Sequence, residues 1–234
     1  MPIAKDNAPS IRDLASESFF RCVNWVNRVN YFKKRERMEL LKTFDKLAPK
    51  KILDFGCRDG FLSSIIQEHT QAEVYGTDID MEALDRGARD YPNVKFVLPS
   101  AVETMNPEFD VIFMGHVLEH VQSCEELLGS LSQVLAPRGK FIITVPQERV
   151  KGDTLPHLII FESIKNKRFV NPHVRVIRKK KLQKIVSKYG LTIEDYLYIN
   201  ALPPFSSRHL LWPTACSLIA TYGRSFHPNS TQQQ

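Results

Sequence analysis

The sequence predicts an α/β fold in which helices cover both faces of a mostly parallel sheet. Short apolar runs alternate with helical stretches, and the first run ends in a glycine-bearing turn that opens directly into a helix. The runs are 51–55, 73–77, 94–98, 111–114 and 140–145. Such regular alternation implies βαβ units and a doubly wound parallel sheet. The turn, Asp54-Phe55-Gly56-Cys57-Arg58-Asp59-Gly60, leads into Phe61-Leu62-Ser63-Ser64-Ile65-Ile66. In this architecture ligands sit beyond the carboxyl ends of the strands. Glycines without a β-carbon would let the backbone approach a ligand closely, and the carboxylates of the turn favour one bearing hydroxyls or positive charge.

The chain has 234 residues, enough for one such domain with a sizeable core. Its 43% hydrophobic and 25% charged content is that of a soluble globular protein. Cys22, Cys57, Cys124 and Cys216 lie far apart with no C-x-x-C pair. Neither a zinc site nor a disulfide framework is expected, and a reducing cytosol is the natural compartment. The start, Met1-Pro2-Ile3-Ala4-Lys5-Asp6, lacks the apolar region of a signal peptide. No apolar run approaches the roughly 18 residues of a spanning helix, so no transmembrane segment is expected. The net charge of +6 gathers in 33–37, 165–168 and 178–181. Basic clusters can attract nucleic acid, anionic lipid or acidic substrates, but these are read as solvated sides of helices packed by their other face.

In chain order, residues 1–9 form a loose tail. From Ser10, a candidate N-cap, Ile11, Leu14, Ala15, Phe19, Cys22, Val26 and Val29 recur at helical spacing. A second helix is predicted from about Arg35 to Leu47, ending near Pro49. After the first strand, Leu62, Ile65 and Ile66 are the buried side of the next helix. The second strand is followed by a helix from Asp80 to Asp90 that ends at Tyr91-Pro92-Asn93. The fourth strand precedes a helix carrying Leu127, Leu128, Leu131, Val134 and Leu135, ended by Ala136-Pro137-Arg138-Gly139. Residues 146–176 lack strong periodicity and read as a substrate-side insertion. A helix then buries Leu182, Ile185, Val186 and Tyr189 and is capped by Gly190. Strands are predicted over 191–200 and 215–222, with Leu210-Leu211-Trp212 as sheet core in preference to a membrane-surface contact, and a polar, disordered tail from 227.

Three segments resemble class I methyltransferases that use S-adenosylmethionine. They are the D-x-G-x-x-x-G turn at 54–60, the strand Val74-Tyr75-Gly76-Thr77-Asp78-Ile79-Asp80 ending in an acidic residue, and Phe109-Asp110-Val111-Ile112-Phe113-Met114-Gly115-His116-Val117-Leu118-Glu119-His120-Val121. Their order and spacing match the family, and the resemblance covers roughly residues 30–225. It implies a Rossmann-like sheet of seven strands with an antiparallel last strand, a helical cover over residues 1–47 and a cofactor-binding domain over 48–226. Helices in that cover would lie over the cofactor and shape the substrate cavity, with Arg37 either exposed to solvent or meeting the cofactor's carboxylate.

The same resemblance assigns roles. Asp78, ending the second strand, accepts both ribose hydroxyls, and each such charged hydrogen bond is worth roughly 1.5–3 kcal/mol. Ile79 lies against the adenine. Asp54 anchors the turn near the methionine end, with Gly56, Cys57 and Gly60 around the cofactor. Ser100 and Ala101 stand where the family often has an aspartate facing the adenine amino group, and Arg58 replaces a glycine common in the family's turn. Met114, Gly115 and His116 line the pocket between donor and acceptor. A neutral His116 near pH 7, with Glu119 and His120 behind it, suits removal of a proton from a hydroxyl acceptor. His157 and His173 flank the insertion as residues touching substrate.

Other chemistries fit less well. His116-Val117-Leu118-Glu119-His120 matches the H-x-x-E-H of zinc peptidases, but it follows a β-strand directly, and no metal is expected. A nucleotide-binding oxidoreductase would carry G-x-G-x-x-G, which 56–60 does not supply. A non-catalytic RNA-binding module would use the basic faces, yet no nucleic-acid motif is present, and Leu202-Pro203-Pro204-Phe205 follows the wrong strand for a nucleic-acid amino methyltransferase. The expectation is a cytoplasmic S-adenosylmethionine-dependent methyltransferase of the small-molecule branch, similar to ubiquinone, menaquinone and natural-product enzymes, with an oxygen as its acceptor atom.

Overall fold

The sheet is built outward from the apolar strand β1 (Lys51–Phe55), which pairs in parallel with β2 (Glu73–Thr77) on one side and β4 (Phe109–Gly115) on the other. The computed structural model describes residues 31–106, 108–150, 163–164, 166–171, 173–211 and 215–224. The helical segment expected from Ser10, residues 151–162, 165 and 172 of the 146–176 insertion, and the tail from 227 lie outside them. Short β3 (Lys95–Phe96) extends the sheet beyond β2, and β5 (Leu135–Pro146) continues it beyond β4. The final strand β8 (Ala215–Arg224) runs antiparallel between β5 and β6 (Leu191–Asn200). With the short strand β7 (Ser206–Ser207) at the far edge, the order is β3-β2-β1-β4-β5-β8-β6-β7.

Two differences from the expected seven strands have local causes. A two-residue strand β7 (Ser206–Ser207) pairs with Tyr198 and Ile199 and makes an eighth. At the opposite edge, β3 is shorter than the predicted 94–98 because Pro99 opens a helical turn, α4 (Pro99–Val102). That turn holds Ser100 and Ala101. Proline is suited to such a start, since its missing N–H lacks an intrahelical acceptor there anyway.

Six α-helices are seen among the described residues. Helix α1 (Tyr31–Leu47) already includes Tyr31, four residues before the expected start, and α2 (Phe61–Thr70) follows the turn. Helix α3 (Met81–Asp90) is capped by the Asp80 carboxylate, which accepts from Ala83 N–H at 3.0 Å. Helix α5 (Cys124–Val134) is capped by Ser123, and Leu135, expected at its end, instead begins β5. Helix α6 (Lys179–Val186) runs through a 3₁₀ turn to Gly190, which ends it in the left-handed region at φ 69°.

Alternate residues of each strand point to opposite faces, and the core divides accordingly. Ile52, Val111, Phe113 and Ile142 pack beneath α1 and α2 with Leu40, Phe44 and Ile66. Leu53, Ile112, Met114 and Ile143 face α5 and α6 with Leu128, Leu131, Leu182 and Val186. Leu210 packs at the margin of that second cluster, while Trp212 lies outside the described residues. No described helix is long and apolar enough to cross a membrane.

Phe44 ties the cover helix to the sheet: it is fully buried and meets Phe113 edge to face, ring centroids 6.1 Å apart. Phe44→Ala is expected to cost about 3–5 kcal/mol of unfolding free energy. Urea denaturation checks it, and a loss below 1 kcal/mol would show that α1 is not docked there.

Candidate cofactor and acceptor site

The carboxyl ends of β1 and β2 are latched together by backbone bonds. Gly56 N–H and Cys57 N–H both donate to Thr77 C=O, at 2.8 and 3.0 Å. Arg58 N–H donates to Asp78 Oδ2 at 2.8 Å, and Asp80 N–H to Oδ1 at 2.9 Å. Gly56 and Gly60 are left-handed at φ 84° and 73°, and Arg58 sits at 54°. Left-handed backbone favours glycine, which accounts for the glycine that the family prefers where Arg58 stands. The space left by the missing β-carbons is taken by protein rather than kept open. A β-carbon on Gly56 would come within 2.4 Å of Val117 Cγ2, and one on Gly60 within 2.3 Å of Phe96 Cζ. These glycines therefore shape the turn and pack it, instead of clearing room for a ligand as the sequence suggested.

Asp54 is buried at the foot of the turn and accepts from Ser63 Oγ at 2.6 Å. Burial pushes its pKa up to about 7 despite that bond, and the Asp78 charge adds to the rise. Asp78 is half-buried at the mouth of the turn. Beside it Ile79 is 89% exposed and Leu98 43% exposed, an apolar surface open at the strand ends. Ser100 is exposed and Ala101 half-buried on α4.

Between the turn, α1 and the end of β4 lies a cavity of about 220 Å³. The turn contributes Cys57, Arg58 and Asp59. Helix α1 contributes Lys33, Glu36 and Arg37, the strands contribute Phe113, Gly115 and Thr144, and His116 comes from the loop after β4. Met114, expected here, is instead wholly buried in the core on the opposite face of the sheet. Burial, with the Asp54 and Asp78 carboxylates nearby, holds the Cys57 thiol far above its ordinary pKa, so it lines the cavity as a neutral group.

His116 adopts φ 57° and points its ring at the cover helix. Its Nε2 lies 2.8 Å from Glu36 Oε1 and 2.9 Å from Lys33 Nζ, and its Nδ1 lies 3.4 Å from Glu119 Oε1. Lys33 also donates to Glu36 Oε2 at 2.8 Å. Burial and the Lys33 ammonium both lower the His116 pKa, yet Glu36 and Glu119 outweigh them and hold it at about 9. Burial would raise the Glu36 carboxyl, but Lys33 and His116 hold it far below the usual carboxylate range. Two features pull apart here: Glu36 and Glu119 favour the imidazolium, while a hydrogen bond from Lys33 needs a neutral Nε2, the form expected from sequence.

Of the residues expected at substrate, His157 lies outside the described residues. His173 is buried away from this cavity, its Nδ1 2.7 Å from Glu148 Oε1. Lys33 and Glu36 escaped the sequence reading because the 33–37 cluster was taken as a solvated face. The available signal was a single acid inside a basic run, where Glu36 shares a helical side with the buried Leu40.

The sheet order, the latched turn and the acidic end of β2 define a class of protein that binds a nucleoside-bearing cofactor across the strand ends. A methyltransferase-domain family model matches residues 25–196. The chain is 26% identical to a trans-aconitate 2-methyltransferase of Rhodopseudomonas palustris, over 77% of this chain and 66% of that protein. It is 33% identical to a ubiquinone biosynthesis O-methyltransferase of Nitrosococcus oceani over 44% of this chain, spanning about half that protein's length (47%). The magnesium protoporphyrin IX methyltransferase of Synechocystis, solved with bound S-adenosylhomocysteine, shares the fold at 18% identity and a TM-score of 0.59, with 92% of this chain and 98% of that one covered. The chain belongs to the methyltransferase-domain family: it is a class I S-adenosylmethionine-dependent methyltransferase.

The ion cluster at His116 has a stability signature. Its folded pKa of about 9 exceeds the ordinary 6.5. Its contribution is therefore fully present below pH 6.5 and is lost as pH rises through about 9. Thermal melts across this window should show a falling Tm in the wild type and a flatter profile in His116→Gln. Equal slopes in the two proteins would remove His116 as the titrating group.

Proposed function

We propose that this protein methylates a small-molecule acceptor at an oxygen that is already anionic, such as a carboxylate. The observation that carries this reading is the basic lining of the cavity, where Lys33, Arg37 and His116 gather. A hydroxyl acceptor needs a base to take its proton, and the histidine in reach is tied to Glu36 and Lys33. A carboxylate requires none, and Lys33, Arg37 and His116 supply positive charge toward it. The likeness to a trans-aconitate methyltransferase supports an acidic acceptor.

Asp78 is positioned to receive a ribose diol, Ile79 and Leu98 to cover adenine, and the cavity by Cys57 and Gly115 to take the amino-acid end. S-adenosylmethionine supplies an electrophilic methyl on a cationic sulfur. In the transfer the carbon–sulfur bond breaks as the carbon–oxygen bond forms, leaving a neutral thioether and a neutral ester, with no proton to move. The protein's work is then alignment, which can supply roughly 7–11 kcal/mol of the barrier in favourable cases. Asp54, buried and bonded to Ser63, fixes the turn.

Two measurements test this. Asp78→Ala should weaken S-adenosylhomocysteine binding roughly tenfold or more by calorimetry, in line with lost charged hydrogen bonds of about 1.5–3 kcal/mol. Labelled methyl from S-adenosylmethionine should pass to di- and tricarboxylic acids in preference to neutral phenols. Turnover confined to phenols, and rising with pH, would replace the carboxylate reading with a base-assisted one.

A further inference from the structure

Behind the cavity wall, on the side of His116 away from α1, two segments bring a carboxylate and two imidazoles together. Glu119 and His120 follow β4, and His173 comes from the stretch before α6. Their ligand atoms all lie within 4.8 Å of one another. The segments are pinned by their backbones: Val174 N–H donates to Glu119 C=O at 2.8 Å, and the Arg175 guanidinium donates to Gln122 C=O.

Three features distinguish this group from a chance cluster. Glu119 is 1% exposed, and neither of its carboxylate oxygens accepts a hydrogen bond among the described residues. Its nearest polar neighbour is His116 Nδ1, 3.4 Å from Oε1, which leaves a buried carboxylate that a bound cation would stabilise further. His173 is 2% exposed, and its Nδ1 is held by Glu148 Oε1 at 2.7 Å, which leaves Nε2 as the ligating atom. A carboxylate behind a histidine is the arrangement that fixes the tautomer and orientation of metal-bound imidazoles. Finally, the His120 and His173 rings stand edge to face at 4.7 Å between centroids, with His120 on the exposed side.

We propose that Glu119, His120 and His173 bind a divalent first-row transition cation, zinc being favoured by the donor set, with Glu148 orienting His173. Two imidazoles and one carboxylate match the ligand set of open zinc sites. Zinc holds nitrogen and oxygen donors at about 2.0–2.2 Å in a tetrahedron, so donor pairs stand roughly 3.4 Å apart. The three donors, now within 4.8 Å of one another, must draw together to that distance on binding. The absence of C-x-x-C pairs and the strand preceding 116–120 argued against a metal from sequence alone. The third ligand lies more than fifty residues downstream, where spacing gives no warning.

The test is equilibrium dialysis of the full-length protein against zinc chloride, with metal read by mass spectrometry, and cobalt(II) substitution read by visible absorption. About one equivalent per chain and a cobalt d–d band are expected. His120→Ala should abolish both. His120 is exposed, so that variant keeps the core, and an unchanged melt together with unchanged S-adenosylhomocysteine binding would confirm its fold. Glu148→Gln should weaken zinc binding about 10–100-fold while retaining stoichiometry. Wild-type protein with less than a tenth of an equivalent, or His120→Ala, Glu119→Gln and His173→Ala each binding as tightly as wild type, would overturn the proposal. S-adenosylhomocysteine binding reports on the methyltransferase site independently of either result.

Discussion

The cofactor-binding end of the molecule rests on a latch of two backbone bonds and one carboxylate. Thr77 C=O receives Gly56 and Cys57, while Asp78 receives Arg58 N–H. These contacts fasten the exit of β1 to the exit of β2, so the turn cannot change shape without moving the residue expected to hold the ribose. Three neighbouring positions at positive φ make the turn tight enough for this. Val117 and Phe96 then fill the gaps above Gly56 and Gly60, coupling the turn to the loop after β4 and to the edge strand. Backbone interactions carry the scaffold, which leaves side chains free to define what is bound.

Charge is distributed across the site by the same economy. Lys33, Glu36, His116 and Glu119 place two cations and two carboxylates in a partly buried chain running from the cover helix to the loop after β4. Breaking such a set by removing one partner leaves an uncompensated buried charge. The cluster holds α1 against the sheet from the polar side, as Phe44 does from the apolar side. It also sets the charge that surrounds the cavity's histidine.

Much of the scaffold could be read from the chain because its signals are local. The alternation of apolar runs, the glycine turn and the acidic end of β2 each depend on a few adjacent residues. Strand six and the Gly190 cap fell where periodicity placed them. The errors arose where distant contacts decide. Leu135 looks like the last apolar position of a helix, but pairing with Phe109 draws it into β5. Met114 sits in a pocket-lining segment, yet strand alternation turns it away from the cavity. The ionisation of His116 could not be read from its own neighbourhood, because Glu36, eighty residues earlier, sets it.

The place of β8 bears on biogenesis. Residues 140–146 and 191–200 lie in one sheet only because 215–224 stands between them, paired to both. A ribosome delivers this strand after every other strand of the sheet. Until it emerges, the nascent polypeptide has two unjoined β edges, on β5 and on β6, that are open to chaperones or to self-association.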